Sequence, residues 1–206
     1  MKYIWINPVT ANMYDSDALN AFLAAHHFVR VEASSHWLDT VKEKYKQAVE
    51  TAEHTLIDMR CPKILNFIDA YELRDHVTIP PIEPILIHCG RELSRRECLL
   101  GYKKVITTPC QALADFGNAL HLQETTFIPW NQLLASLGGG LTAVPPHESP
   151  IPPGFFEGLD CKKASVTDKE NICNLFEDFK PDEFDLIELL YCKNGCHNGD
   201  GICGCK

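Results

Sequence analysis

VITTPCQALADFGNALH (105–121) sets two patterns side by side. VITT (105–108) is a short, β-branched apolar run. ALADFGNALH (112–121) carries its apolar residues at helical spacing. Pro109 and Cys110 stand between them. The same alternation runs outward in both directions. Upstream, YIWIN (3–7), FVRVEA (28–33), TLID (55–58) and PILIH (84–88) read as strands. DALNAFLAAHH (17–27), HWLDTVKEKYKQAVETA (36–52), ILNFIDAYEL (64–73) and RELSRRECLLGY (91–102) read as helices. Downstream, TFIPW (126–130) precedes helix-like NQLLASL (131–137). Alternation of this kind predicts an α/β fold, with mostly parallel sheet or sheets flanked by helices.

A break follows at GGGLTAVPPHESPIPPG (138–154), a Gly/Pro-rich connector without periodicity. Beyond it, TDKENICNLFEDF (167–179) reads as a C-terminal helix capped by Thr167 or Asp168, with Glu170 near its third position. FDLIELL (184–190) then leads into a cysteine-rich tail, YCKNGCHNGDGICGCK (191–206). The expectation is one compact domain over 1–206, compatible with a subdivision into 1–137, a connector at 138–154, and 155–206.

Hydrophobic residues make up 45% of the 206 positions and charged residues 23%, a globular balance. The net charge of −9 argues against a nucleic-acid partner, because phosphate binding needs a basic footprint. The opening MKYIWINPVTANMYDSD has too short an apolar run for a signal peptide, and no run reaches the roughly 18 residues of a spanning helix. A cytosolic protein away from membranes is expected.

Ten cysteines then need a reason, because disulfides are rare where thiols are kept reduced. Metal binding or catalysis is the favoured reading. For Cys98, Cys161 and Cys173 a plain buried-thiol role is expected. Cys61, Cys89 and Cys110 fall at the ends of expected strands, and Cys192 and Cys196 follow FDLIELLY. Open parallel sheets assemble sites at the carboxyl ends of their strands, so thiols distant in sequence could meet on one sheet edge. Thiolates select zinc, Cu(I) or iron–sulfur clusters. A zinc site made from Cys192, Cys196, Cys203 and Cys205 alone is also compatible with the tail.

The spacing of the tail resembles a more specific pattern. Glu188 followed by Cys192-Lys-Asn-Gly195-Cys196-His-Asn-Gly199-Asp-Gly201 resembles the third signature of the [FeFe]-hydrogenase catalytic domain, E-x-x-x-C-x-x-G-C-x-x-G-x-G. Arg60-Cys61-Pro62 before an apolar helix resembles the first signature, and Val105 to Cys110 the second, in the family's order. The resemblance implies that Cys61, Cys110, Cys192 and Cys196 hold a [4Fe–4S] cluster, with flanking glycines letting backbone N–H groups approach. Cys89, Cys203 and Cys205 are additional candidate ligands. His197, beside Cys196, is a candidate hydrogen-bond or proton donor.

The departures from that family are equally informative. Arg60 stands where hydrogenases have a proton-carrying cysteine. Leu113 stands for the lysine and Phe116 for the glutamate of the second signature, and Lys193 for a proline of the third. Without those groups a diiron centre loses its hydrogen bonds and proton path. The expectation is therefore a cluster-binding protein without hydrogenase activity: an electron carrier, sensor or accessory protein with a protein redox partner. The alternative is an iron–sulfur enzyme, a reductase or lyase, that takes substrate at an open cluster face. A third, weaker reading is a Cys-dependent phosphatase, from His88-Cys89 to Arg95 between a strand and a helix. His26 and His27 are expected at a helix end, and Trp5, Trp37 and Trp130 in or near the core.

Overall fold

A computed structural model of the chain describes residues 1–196, which form eight α-helices and seven strands. The strands make two separate sheets, and every strand pair is parallel. The chain divides into two compact units. One is Met1–Ser35 with Leu86–Pro150; the other is His36–Ile85 with, among the described residues, 151–196. The chain crosses between the units after Ser35, Ile85 and Pro150. The Gly/Pro-rich stretch does hold one crossing, after Pro150. The crossings after Ser35 and Ile85 carry no compositional mark.

The first unit holds β1 (Lys2–Trp5), α1 (Pro8–Ala11), α2 (Ser16–Ala25) and β2 (Phe28–Arg30). Its second stretch supplies α5 (Ile85–Arg95), β4 (Lys103–Thr108), α6 (Gln111–Ala119), β5 (Thr125–Pro129) and α7 (Trp130–Ser136). Between these units' stretches lie α3 (Trp37–Thr51), β3 (Leu56–Ile57) and α4 (Lys63–Ala70), followed after the connector by β6 (Lys163–Thr167), α8 (Lys169–Glu177) and β7 (Leu186–Leu190).

In the first sheet the order is β2-β1-β4-β5. The apolar run of β1 ends at Asn7-Pro8, where Asn7 Oδ1 accepts from the Val9 N–H at 3.1 Å and Pro8 opens α1. Ile4, Ile6, Leu19, Leu23, Phe28, Trp130 and Leu133 bury one face of this sheet against α1, α2 and α7. On α5 and α6, Gly90 and Gly117 let Phe127 of β5 come close. A Cβ at either position would lie 2.4–2.5 Å from the ring.

The run Ile85-Leu86-Ile87-His88-Cys89 is helical, not the expected strand. Leu86 to Gly90, Leu93 and Ser94 are its buried positions, so the first half of the helix is buried all round and shows no polar face that would mark it as a helix. RECLLGY, expected to continue a helix, instead makes a short 3-10 turn at Glu97–Leu99. Cys98 in that turn is exposed, contrary to the buried role expected of it, whereas Cys161 and Cys173 are half-buried.

The second sheet has the order β3-β7-β6. FDLIELL therefore contains the central strand, and all five residues of β7 are buried. Ile187 and Leu189 face Ile57, Ile64, Ile68, Ile172 and Phe176 on β3, α4 and α8. Leu186 faces the other way, with Val41 and Tyr45 of α3, Leu56, Ile82 and Phe156. Each β7 face is thus covered by helix, which is why the strand reads as almost continuously apolar. β6 was not visible as a strand in the sequence. Thr167 ends it, and Asp168 caps α8 by accepting from the Glu170 N–H at 3.3 Å. Glu170 is thus the second helical residue.

Candidate functional site

Parallel pairing sends the carboxyl ends of β3, β7 and β6 to one edge of the second sheet. Asp58 to Cys61 follow β3, and Tyr191 and Cys192 follow β7. In such sheets this edge is where ligands assemble. Pro62 caps α4 immediately after Cys61. The Cys192–Cys196 segment is a turn fixed by three bonds donated from its backbone N–H groups. Gly195 N–H donates to the Cys192 carbonyl at 3.3 Å, and Cys196 N–H to the Ile151 carbonyl at 2.9 Å. Asn194 N–H donates to Thr167 Oγ1 at the end of β6, at 3.3 Å.

Cys110 belongs to the first unit, where it follows β4 and occupies the N-cap position of α6. The strand ends that carry Cys61 and Cys192 therefore lie on one sheet and that of Cys110 on another, which corrects the picture of a single shared edge. Cys61, Cys110, Cys192 and Cys196 are all half-buried. Cys203, Cys205 and His197 lie outside the described residues.

Next to Cys61 is a buried ion network that the sequence reading did not contain. Arg60 donates from Nε to both Asp58 oxygens at 3.0 Å, and from Nη2 to Asp58 Oδ2 at 2.7 Å and Glu188 Oε1 at 2.6 Å. Its guanidinium lies 3.8 Å from the Phe155 ring centre and 4.9 Å from that of Phe156. Asp58 also accepts from the Tyr45 hydroxyl at 3.0 Å, and that hydroxyl accepts from the Met59 N–H at 2.9 Å.

Glu188 accepts three further bonds: from Ser165 Oγ at 2.6 Å, Gly154 N–H at 2.6 Å and Phe155 N–H at 3.2 Å. Burial alone would raise its pKa. Ser165, Gly154 and Arg60 together reverse that and hold it below the ordinary carboxylate value. Burial works against the Arg60 charge, but Asp58 and then Glu188 more than offset it, so the guanidinium stays charged. Arg60, Glu188 and Asp58 are thus committed to one another.

A groove of about 280 Å³ runs beside these groups, lined by Gly154, Phe156, Lys163, Ser165 and Glu188 among others. Three of its polar side chains are engaged, and a fourth, Glu157, is exposed at the groove. Ser165 and Glu188 bond each other, and Lys163 Nζ donates to the Leu159 carbonyl at 2.6 Å.

Cys89 has no resemblance in place to a phosphatase nucleophile. It lies inside a helix rather than in a loop before one, it is buried, and burial and then Glu92 push its thiol up to about 12. A thiolate nucleophile needs the opposite shift. Of the diiron-site replacements, Leu113 is buried and Phe116 is partly exposed, both on α6. His26 and His27 lie at the end of α2 as expected, and Trp5 and Trp130 are buried.

Four thiols are the donor set that a [4Fe–4S] cluster takes, and these four are half-buried. Among the described residues, however, no three His, Cys, Asp or Glu side chains are gathered at the spacing of a metal site. Also among them, no helix is long and apolar enough to cross a membrane. Compared with protein-family models, curated proteins and solved structures, the chain matches none.

Proposed function

We propose that this chain binds a [4Fe–4S] cluster through Cys61, Cys110, Cys192 and Cys196 and serves in electron transfer, redox sensing or an accessory role with a protein partner. One observation carries the reading. The cysteines of the three signature-like segments stand in the loops that leave strand carboxyl ends: Cys61 beyond β3, Cys110 beyond β4 and Cys192 beyond β7. When bound, the cluster supplies one-electron chemistry. The chain supplies thiolates, and turns whose backbone is already fixed.

The same reading leaves out hydrogenase activity. The residue at the proton-carrying position, Arg60, is held by Asp58 and Glu188 and has no titration near neutral pH. An enzyme working at an open cluster face is the competing reading; in the groove beside Glu188, that carboxylate, Ser165 and Lys163 are already bonded within the chain.

The test is protein purified without oxygen, assayed for iron, sulfide and zinc per chain, with an EPR spectrum after dithionite reduction. Four irons with a reduced-cubane signal are expected for one such cluster. Zinc without sulfide would overturn the proposal.

A further inference from the structure

We propose that Glu188 is a positioning residue that sets the places of Cys61, Cys192 and Cys196 together; the role as cluster ligands rests on the function proposed above, the positioning does not. Three routes lead from this one residue, one through the main chain and two through the carboxylate. The first is covalent: Glu188 sits on β7, and Cys192 follows four positions later in the same chain direction. The second passes through Arg60, which bonds Glu188 and is the residue before Cys61. Arg60 is fixed at its backbone too, since its own N–H donates to Asp58 Oδ1 at 3.0 Å. The Cys61 turn therefore cannot shift without breaking charge-assisted bonds.

The third route is a strap, Ile151-Pro152-Pro153-Gly154-Phe155. At one end Gly154 and Phe155 donate their N–H groups to the two Glu188 oxygens. At the other, Ile151 pairs antiparallel with Cys196 and accepts its N–H at 2.9 Å. Two consecutive prolines join the ends, and their fixed φ angles make the strap stiff. The place of the Cys196 backbone is thereby measured from Glu188. Serine 165 of β6, Ser165, steadies the carboxylate from the third strand of the sheet. The glutamate at the head of the E-x-x-x-C segment is thus an ionised acceptor that aligns turns, not an acid that delivers protons.

A purely structural carboxylate would loosen the whole second unit when removed. A positioning one loosens the three cysteine turns selectively. Hydrogen–deuterium exchange on the full chain reads the difference, in wild type and Glu188→Gln. Exchange is expected to rise several-fold and together in segments 59–62, 151–155 and 192–196, with α8, in the same unit, unchanged. A rise in α8 equal to that in the turns, a rise in one turn alone, or no rise would overturn the proposal.

If Glu188→Gln does not fold, Ser165→Ala removes one of the four donors and keeps the ion pair. The same selective pattern at smaller amplitude is then expected, and its absence overturns the proposal equally. Iron and sulfide in wild type are measured in parallel. Their absence removes the proposed function and leaves the exchange result to judge the positioning on its own. A wild type that holds iron, with turns indifferent to both substitutions, removes the positioning and leaves the function.

Discussion

Arg60 Nη2 and Glu188 Oε1 meet at 2.6 Å across 128 residues of chain, on side chains only 10% and 2% exposed. A buried pair of this kind costs desolvation on both sides, and its value lies less in net stability than in what happens when one partner is lost. Glu188→Ala strands Arg60 beside a single carboxylate and leaves Gly154 N–H and Ser165 unpaired. A loss of about 3–5 kcal/mol in unfolding free energy is expected, read from urea denaturation followed by circular dichroism.

The pair also gives the protein an acid limit. Glu188 titrates below its unfolded-state value, so its contribution is complete at neutral pH, above the ordinary carboxylate range. It is lost as pH falls through that range and below, when the folded state must take up a proton. Denaturation midpoints measured across the acid range should fall more steeply in wild type than in Glu188→Gln. Parallel curves would contradict this.

Gly154 has φ of +106°, and a Cβ there would lie 2.7 Å from Glu157 Oε1. Glu157 is a flexible side chain and can move, but the backbone angle cannot be adopted cheaply by alanine. Gly154→Ala should cost about 1–3 kcal/mol and lengthen the bond from its N–H to Glu188. Thermal melts compared with a Gly158→Ala control, where the added Cβ meets nothing, would separate this from a general glycine effect.

Cys89 and Cys98 predict opposite chemistry nine positions apart. Cys89 is buried with its thiol pushed up to about 12, and Cys98 is exposed. Iodoacetamide at mildly alkaline pH, followed by peptide mapping, should label Cys98 readily and leave Cys89 unlabelled until the protein is denatured. Rapid labelling of Cys89 in the native state would restore the nucleophile reading.

Substitution should also sort ligands from bystanders. Cys110→Ala is expected to abolish cluster binding and Cys98→Ala to leave it intact, each read as iron and sulfide per chain. Equal loss in both, or in neither, would break the ligand assignment.

Much of the fold was legible because its helices and most strands obey their periods. The helix Ser16–Ala25 and the strand Lys103–Thr108 fall close to where the pattern puts them. Ile85-Leu86-Ile87 was misread because a short apolar run has no period of its own, and Gly90 looks like a stop. Gly90 stands inside the helix because Phe127 occupies the space a side chain would need. Lys163–Thr167 escaped notice as an edge strand, half-buried except at exposed Ser165 and without clean alternation.

The site was half legible. Thiols past strand ends could be read, since cysteine spacing is local. The Arg60 network could not, because its partners come from Tyr45, Asp58, the 154–155 segment, Ser165 and Glu188. One signal was present: Glu188 is a lone charge in a strand otherwise wholly apolar, which demands a buried partner. Nothing in the sequence names Arg60 as that partner.

The interleaving of the two units has a consequence for how the protein is made. The strand Leu56–Ile57 leaves the ribosome well before its strand partner, Leu186–Leu190, which lies more than a hundred residues further along the chain. Until then Asp58 and Arg60 lack Glu188, and the apolar face of Lys63–Ala70 lacks the strand it covers. A nascent chain is therefore committed to a long wait with hydrophobic surface and a half-made ion pair exposed. Ribosome-stalled chains ending before residue 180 should be protease-sensitive across 56–70, and full-length chains should not.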